Sequence, residues 1–236
     1  MATKIRWGLL STANINQALI GPLRQSARSE LVAVASRSAE KARAYANEWG
    51  IPKAHASYEA LLADPEIDVI YNPLPNKLHC EWTVKAADAG KHVLAEKPLV
   101  TTLAEFDQVA AAAERNRVTV FEAFMYLHHP QTHKVLDLVR QGKLGTVQQI
   151  NSWFHFYLPP ERSENIRLSA ELEGGSLWDV GVYPTSAVVS IAAAAGAGAL
   201  PEAVWASQII GESGVDVAMR SQMRFAGGLL SQISSG

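Results

Sequence analysis

Short apolar runs alternate with amphipathic stretches along the first half of this chain. Ile5–Leu10 (I-R-W-G-L-L) predicts a buried strand, and Ile15–Arg24 a helix reached through a tight turn of small residues, Ser11–Asn14. A second strand, Leu31–Ala35, runs out at Ser36-Arg37, and Ala39–Trp49 predicts a helix stopped by Gly50. A short helix over Tyr58–Ala63 precedes the strand Val69–Asn72, which closes on P-L-P before a helix from about His79 to Ala89. His92–Ala95 and Val118–Phe121 read as strands on either side of the helix Leu103–Asn116. Strands alternating with helices at this spacing predict an α/β domain over residues 1–122, a doubly wound parallel sheet of the Rossmann type.

After Glu122 the pattern changes. Gln131–Arg140 predicts a helix, Val147–Tyr157 a long strand, and Pro159-Pro160 an irregular loop reaching Gly174-Gly175. A helix follows from about Ser176 to Ala195. Val204–Ile210, Val215–Phe225 and Leu229–Ser234 then alternate as strands joined by tight turns. Residues 123–236 are therefore expected to form an α+β domain, a helix plus a mainly antiparallel sheet. The last strand has no capping element after it, so this domain reads as incomplete at its C-terminus.

Composition narrows the function classes. With 236 residues, 48% of them hydrophobic, and a net charge of −2, the chain has no bulk electrostatic case for nucleic acid or an anionic membrane. Cys80 is the single cysteine, which excludes an internal disulfide, and no zinc-type spacing is present. Met1–Ile5 leaves no room for a signal peptide, and the apolar run Ala187–Leu200 is too short to span a bilayer. The expectation is a cytoplasmic protein acting on a small molecule, without a metal.

Candidate chemistry gathers at the carboxyl ends of the predicted strands, where open parallel sheets bind ligands. The turn G-L-L-S-T-A-N-I places Gly8, Ser11, Thr12, Ala13, Asn14 and Ile15 where a dinucleotide pyrophosphate meets a helix N-terminus. As a glycine fingerprint it is thin, because Ser11 and Ala13 stand where glycines are usual. Ser36 and Arg37 end the second strand without a carboxylate. That favours the 2′-phosphate of NADP over the ribose hydroxyl of NAD, with NAD use still open. The rigid loop Pro73-Leu74-Pro75 suits a flat ring such as nicotinamide, with Asn76 and His79 as candidate ribose partners, although His79 suits a helix start equally well. Glu96 and Lys97, at the end of G-K-H-V-L-A-E-K-P, present a charged pair held by Pro98. In G-G-S-L-W-D-V-G-V-Y-P, Asp179 and Tyr183 are four apart and share one face of a helix. An ammonium near that phenol would make it a usable base, and Arg167 and Trp178 stand as candidate substrate contacts.

Taken together, G-L-L-S-T-A-N-I, S-R-S, Y-N-P-L-P-N-x-L-H, G-K-H-V-L-A-E-K-P, E-A-F-M-Y and G-G-S-L-W-D-V-G-V-Y-P resemble the glucose–fructose oxidoreductase/inositol dehydrogenase (Gfo/Idh/MocA) family in composition and order. Within it the chain looks most like the branch of NADP-dependent D-xylose dehydrogenases and dimeric trans-dihydrodiol dehydrogenases, in which tyrosine stands where other members have histidine. The resemblance implies an NADP-linked dehydrogenase of sugars, polyols or vicinal diols, with Lys97 as catalytic lysine, Tyr183 as acid/base and Asp179 as its companion. It further implies a cis peptide before Pro98 and a homodimer, or dimer of dimers, built on the C-terminal sheet. Leu127 departs from the arginine common in relatives and leaves the substrate open. A nucleotide-binding sensor without turnover is the alternative from another class.

Overall fold

The computed structural model describes residues 3–159, 161 and 164–236; Met1 and Pro160, which figured in the sequence reading, lie outside them. The chain divides into two compact units, Met1–Ala123 and Phe124–Gly236.

In the first unit, six parallel strands form one sheet: β1 (Ile5–Leu10), β2 (Ser29–Ala35), β3 (Lys53–His55), β4 (Val69–Asn72), β5 (His92–Ala95) and β6 (Val120–Glu122). Their order, β3-β2-β1-β4-β5-β6, reverses direction at β1, which is the doubly wound arrangement that opens a crevice at the carboxyl edge. The connections are α1 (Asn16–Gln25), α2 (Ala39–Trp49), α3 (Tyr58–Leu62), α4 (His79–Asp88) and α5 (Leu103–Asn116). Because helices cover both faces, strands run apolar on both sides. Leu10, Val32 and Ile70 pack with Leu61 and Trp82 on one face, while Leu9, Val34 and Tyr71 pack with Ile20, Leu23 and Ala46 on the other. Each such aliphatic side chain, withdrawn from water, contributes about 2 kcal/mol before entropy is charged against it.

The helix boundaries follow from caps. Ser38 and Ser57 accept hydrogen bonds from the backbone of Lys41 and Ala60, Thr102 and Glu105 form a reciprocal capping box, and Gly50 ends α2 at φ 56°. Strand β3, absent from the sequence reading, is three residues with no apolar side chain beyond Ala54, so no periodicity marks it. It is held by β2 and by a charge cluster. Asp64, buried after α3, accepts from Lys53 (2.9 Å), His55 (3.1 Å) and the Glu66 N–H (2.8 Å), and Lys53 also pairs with Glu66. The buried Lys91 ammonium donates to the carbonyls of Asp64 and Ile67, both at 2.8 Å.

In the second unit, β7 (Gln149–Phe154), β8 (Ala203–Ile210), β9 (Asp216–Arg224) and β10 (Leu230–Ser235) form a mixed sheet in the order β7-β10-β9-β8. β8, β9 and β10 are antiparallel neighbours, while β7 joins β10 in parallel. Helices α6 (Pro130–Arg140) and α7 (Val182–Ala194) complete the unit. Val188 and Ala192 of α7 pack on Ile150, Met219, Met223 and Ile233, leaving the opposite sheet face, with Trp153, Trp205 and Ile209, exposed. The apolar segment is longer than the Ala187–Leu200 run suggested. The helical run Leu177–Ala194, with mean hydropathy 1.2, is long and apolar enough to cross a membrane by length and composition. Here it covers the sheet.

Burial alone would raise the Asp64 carboxyl, but the bonds from Lys53, Glu66 and His55 outweigh it and bring the pKa to about 2. A carboxyl lower in the folded than in the unfolded chain adds stability that is present above pH ~4, its unfolded value, and lost as pH falls toward the folded value. Asp64→Asn is expected to cost about 2 kcal/mol at neutral pH, with the gap to wild type closing below pH ~4. Urea unfolding of both proteins at several pH values checks this.

Candidate active site

The turn after β1 shows how serine serves where glycine is usual. Ser11 takes φ 132°, rare for a side-chain-bearing residue, and is held there because buried Asn16 donates from its amide to Ser11 O at 2.8 Å. The Ser11 hydroxyl in turn accepts the Ala13 N–H at 3.2 Å. Gly8 lies close to the core, since a Cβ there would come within 3.0 Å of Ile67 Cδ1 and the isoleucine would have to give way. Thr12, Asn14 and Ile15 lead from this turn into α1, with Asn14 and Ile15 exposed.

At the end of β2, Ser36 is buried and its hydroxyl accepts the Ser38 N–H at 3.3 Å. Arg37 is exposed, with its guanidinium beside the Tyr58 hydroxyl. Burial raises the Tyr58 phenol, and Arg37 works against that rise.

The loop after β4 corrects two expectations. Leu74 faces the core with Trp82 and Val93, so its side chain is not available to a nicotinamide ring. His79 is 1% exposed, and its ring lies between two carbonyls: Nδ1 is 2.6 Å from Pro98 O and Nε2 is 2.6 Å from Leu74 O. Burial lowers its pKa while the two carbonyls, which can both accept only from a doubly protonated ring, pull it up; the ring bridges two loops with each nitrogen facing a carbonyl rather than a ribose. The fully buried Asn72, passed over in the sequence as a strand end, donates to His79 O (3.3 Å) and Thr83 Oγ1 (3.2 Å) and accepts the Leu74 N–H (3.3 Å). A buried asparagine closing a strand is the signal that points to such a bracket. Pro73 is buried beside it, and Asn76 begins a 3-10 turn, Asn76–Leu78, ahead of α4.

Glu96 and Lys97 occupy the end of β5, as the strand reading placed them. Glu96 is engaged internally: Oε1 accepts the Tyr71 hydroxyl at 2.6 Å and Oε2 accepts the Lys97 N–H at 3.3 Å. Lys97 is half-buried, and its peptide bond to Pro98 is cis. Beyond it, the Leu99 N–H donates to Glu122 Oε1 at 2.8 Å.

In the second unit, Asp179 lies within a π-helical turn, Leu177–Gly181, and Tyr183 in the first turn of α7. Asp179 does not stand apart from Arg167, because Arg167 Nε donates to Asp179 Oδ2 at 2.6 Å. The segment bearing Arg167 is pinned by glycines. Gly175 N donates to Arg167 O at 2.8 Å, and a Cβ on Gly174 would lie 2.4 Å from that oxygen. Gly175 has φ 116°, and a Cβ there would strike Asp216 Oδ1 at 2.2 Å. Asp216 Oδ2 accepts the Leu177 N–H (2.8 Å) and the Ser176 hydroxyl (2.6 Å), capping the helical run from β9. Tyr183 sits among three rings, Phe124, Tyr126 and Phe154, at centroid distances of 5.6, 5.9 and 5.7 Å. Tyr126 is oriented by its bond to Ser186 at 2.7 Å. Trp178 is half-buried, and Leu127 lies in the 3-10 turn Met125–His128.

Comparisons with known proteins agree with this architecture. The model of the Gfo/Idh/MocA oxidoreductase family, NAD-binding Rossmann fold, matches residues 5–124, and that of its C-terminal domain matches residues 132–236. The D-xylose 1-dehydrogenase (NADP(+)) 2 of Haloferax volcanii is 40% identical over 97% of this chain and 68% of its own. The trans-1,2-dihydrobenzene-1,2-diol dehydrogenase of Xenopus tropicalis is 33% identical, over 100% of this chain and 69% of its own. Among solved structures, KijD10, a 3-ketoreductase from Actinomadura kijaniata in complex with NADP and TDP-benzene, superposes with a TM-score of 0.86 at 31% identity. That match covers 98% of this chain and 70% of that one. The chain thus spans about two thirds of the length of these relatives.

Asp216→Ala removes the cap from the Leu177 N–H and leaves the Ser176 hydroxyl only Ser235, so a loss of about 1–3 kcal/mol is expected. Thermal unfolding of the variant against wild type measures it, and an unchanged Tm refutes the capping role.

Proposed function

The chain belongs to the Gfo/Idh/MocA oxidoreductase family, and on that premise we propose that it is an NADP-dependent dehydrogenase. Its substrate class is a sugar, polyol or vicinal diol, oxidised at a CH–OH group or formed by the reverse reduction. The observation that carries the reading is the joint presence of Lys97 at the carboxyl end of β5 and of Asp179 and Tyr183 at the head of α7. The named relatives support the same class, being dehydrogenases and a ketoreductase of sugar-like or diol substrates.

The first unit fits NADP on its own geometry. The turn Ser11–Ile15 gives onto the N-terminus of α1, whose dipole suits a pyrophosphate, although its own first N–H groups already donate to the carbonyls of Ala13, Asn14 and Ile15. Arg37 stands exposed at the end of β2, with Ser36 and Ser38 as the neighbouring residues and no carboxylate among the three, which suits a 2′-phosphate. Pro73, Asn76 and Glu96 border the nicotinamide end; Leu74 and His79 serve that loop from beneath rather than by contact. Bound NADP supplies the acceptor or donor of the hydride.

In the oxidative direction Tyr183 takes the hydroxyl proton, and Lys97 stabilises the negative charge that develops on oxygen. Asp179, paired with Arg167, fixes the helix turn ahead of Tyr183, so Arg167 acts on the substrate side through this pair. The rings around Tyr183 suit the C–H face of a sugar or diol, with Trp178 as a further candidate contact. The exposed sheet face bearing Trp153, Trp205 and Ile209 supports a homodimer, or a dimer of dimers, formed sheet to sheet. A cytoplasmic location fits this activity and its soluble cosubstrate.

The test is NADP+ and NAD+ reduction with D-xylose, D-glucose, myo-inositol and a trans-dihydrodiol. Lys97→Ala and Tyr183→Phe are expected to lower kcat by roughly 10²–10⁴-fold while NADP+ still binds. Arg37→Ala should weaken NADP+ binding by about 10-fold or more and leave NAD+ unaffected, as measured by fluorescence titration. Tight NADP+ binding by wild type without turnover of any substrate overturns the enzyme reading in favour of a nucleotide sensor.

A further inference from the structure

Beyond the end of β5 the backbone leaves the sheet. The last rungs are Glu96 N–H to Asn72 O (2.9 Å) toward β4 and Ala123 N–H to Ala95 O (2.8 Å) from the end of β6. The three residues that follow, Lys97, Pro98 and Leu99, have only two backbone donors, because proline has none. Both donors go to carboxylates: Lys97 N–H to Glu96 Oε2 and Leu99 N–H to Glu122 Oε1. The two bonds are unequal. The first is 3.3 Å long and joins adjacent residues, so it reaches the sheet only indirectly, through the Glu96 bond to the Tyr71 hydroxyl of β4. The second is 2.8 Å long, bridges 23 positions, and ends on a residue in register with Ala95 on the neighbouring strand.

We infer that Glu122 is a positioning residue for Lys97, holding the lysine-bearing segment against the sheet through the Leu99 N–H. A carboxylate suits this task, since its bonds to N–H groups are shorter and about twice as strong as neutral ones. It does so at a cost in desolvation, because burial raises the Glu122 carboxyl and the Leu99 bond only partly offsets that. His79 holds the same segment from the other side at Pro98 O, but it grips a carbonyl on α4's flank, whereas Glu122 ties the segment to the strand beside β5. The inference rests on the catalytic role proposed for Lys97.

The experiment compares Glu122→Gln, whose side-chain oxygen still accepts the Leu99 N–H, with Glu122→Met, which cannot accept it. Steady-state kinetics, NADP+ affinity and hydrogen exchange at the Leu99 amide are measured on each. In Glu122→Met, Leu99 exchange should rise at least about 10-fold and kcat fall by roughly 10–100-fold, with NADP+ affinity within about threefold of wild type. Glu122→Gln should keep the amide protected and kcat within about 10-fold of wild type. A folded Glu122→Met with kcat within 10-fold, or with Leu99 still protected, overturns the proposal. So does a Glu122→Gln that loses more than about 10-fold in kcat with Leu99 protected, since charge rather than position would then be at work. Should Glu122→Met fail to fold, the Gln variant decides by that same criterion. A wild type without turnover on any substrate sinks the enzyme reading instead, and the exchange rates then decide the positioning claim alone.

Discussion

The backbone of a parallel sheet satisfies itself only as far as its strands run, and each loop leaving the carboxyl edge carries donors and acceptors with no ladder partner. In this protein those groups are met by a few buried or half-buried polar side chains. Asn72 closes the end of β4 with three hydrogen bonds, His79 joins the loops after β4 and β5, and Glu122 takes the first N–H beyond Pro98. Losing any one leaves a desolvated partner as well as a missing bond, which makes the bracket interdependent. The position of Lys97 is a consequence of that bracket.

The second unit solves a related problem at the head of a helix. The π-helical turn Leu177–Gly181 leaves its first N–H groups exposed to the sheet, and Asp216 reaches across from β9 to receive one. Close approach explains the glycine pair: Gly174 lies against the carbonyl of Arg167 and Gly175 against the carboxylate of Asp216, so neither has space for a side chain. Through these contacts one short stretch of chain carries the Arg167–Asp179 pair just ahead of Tyr183. A single local geometry therefore orients an ion pair and a phenol together.

The sequence revealed most where its signals were redundant. Five of the strands in the first unit are apolar runs bounded by caps and turns, and the alternating pattern alone indicated the doubly wound sheet. β3 escaped because Lys53–His55 carries charge on an edge, where register is set by Asp64 rather than by burial. The parallel pairing of β7 with β10 was equally invisible, since alternation records which face is buried but not strand direction. Lys97 and the residues of the G-G-S-L-W-D-V-G-V-Y-P stretch stand out in the sequence as candidates because their residue types are chemically unusual for their positions. His79 and Leu74 were assigned outward roles for the same reason, and the structure turns them inward. Position along a chain says that a polar residue lies near a site, but not which way it faces.

This asymmetry bears on how substrate choice is written into the protein. The groups suited to proton and charge chemistry are single side chains, and their identities can be read directly. The surroundings of Tyr183 are collective: Phe124, Tyr126 and Phe154 pack edge-on or tilted around one phenol, and Tyr126 is further tied to α7 through Ser186. Aromatic pairs of this kind depend on mutual orientation, with about 0.5–1.5 kcal/mol in each contact beyond area burial. Changing one ring shifts the others and the phenol with them, so the wall that would meet a substrate cannot be altered one residue at a time. The residues proposed for the chemistry are thus legible one by one, while the shape of the packed cluster around Tyr183 is encoded by no single position.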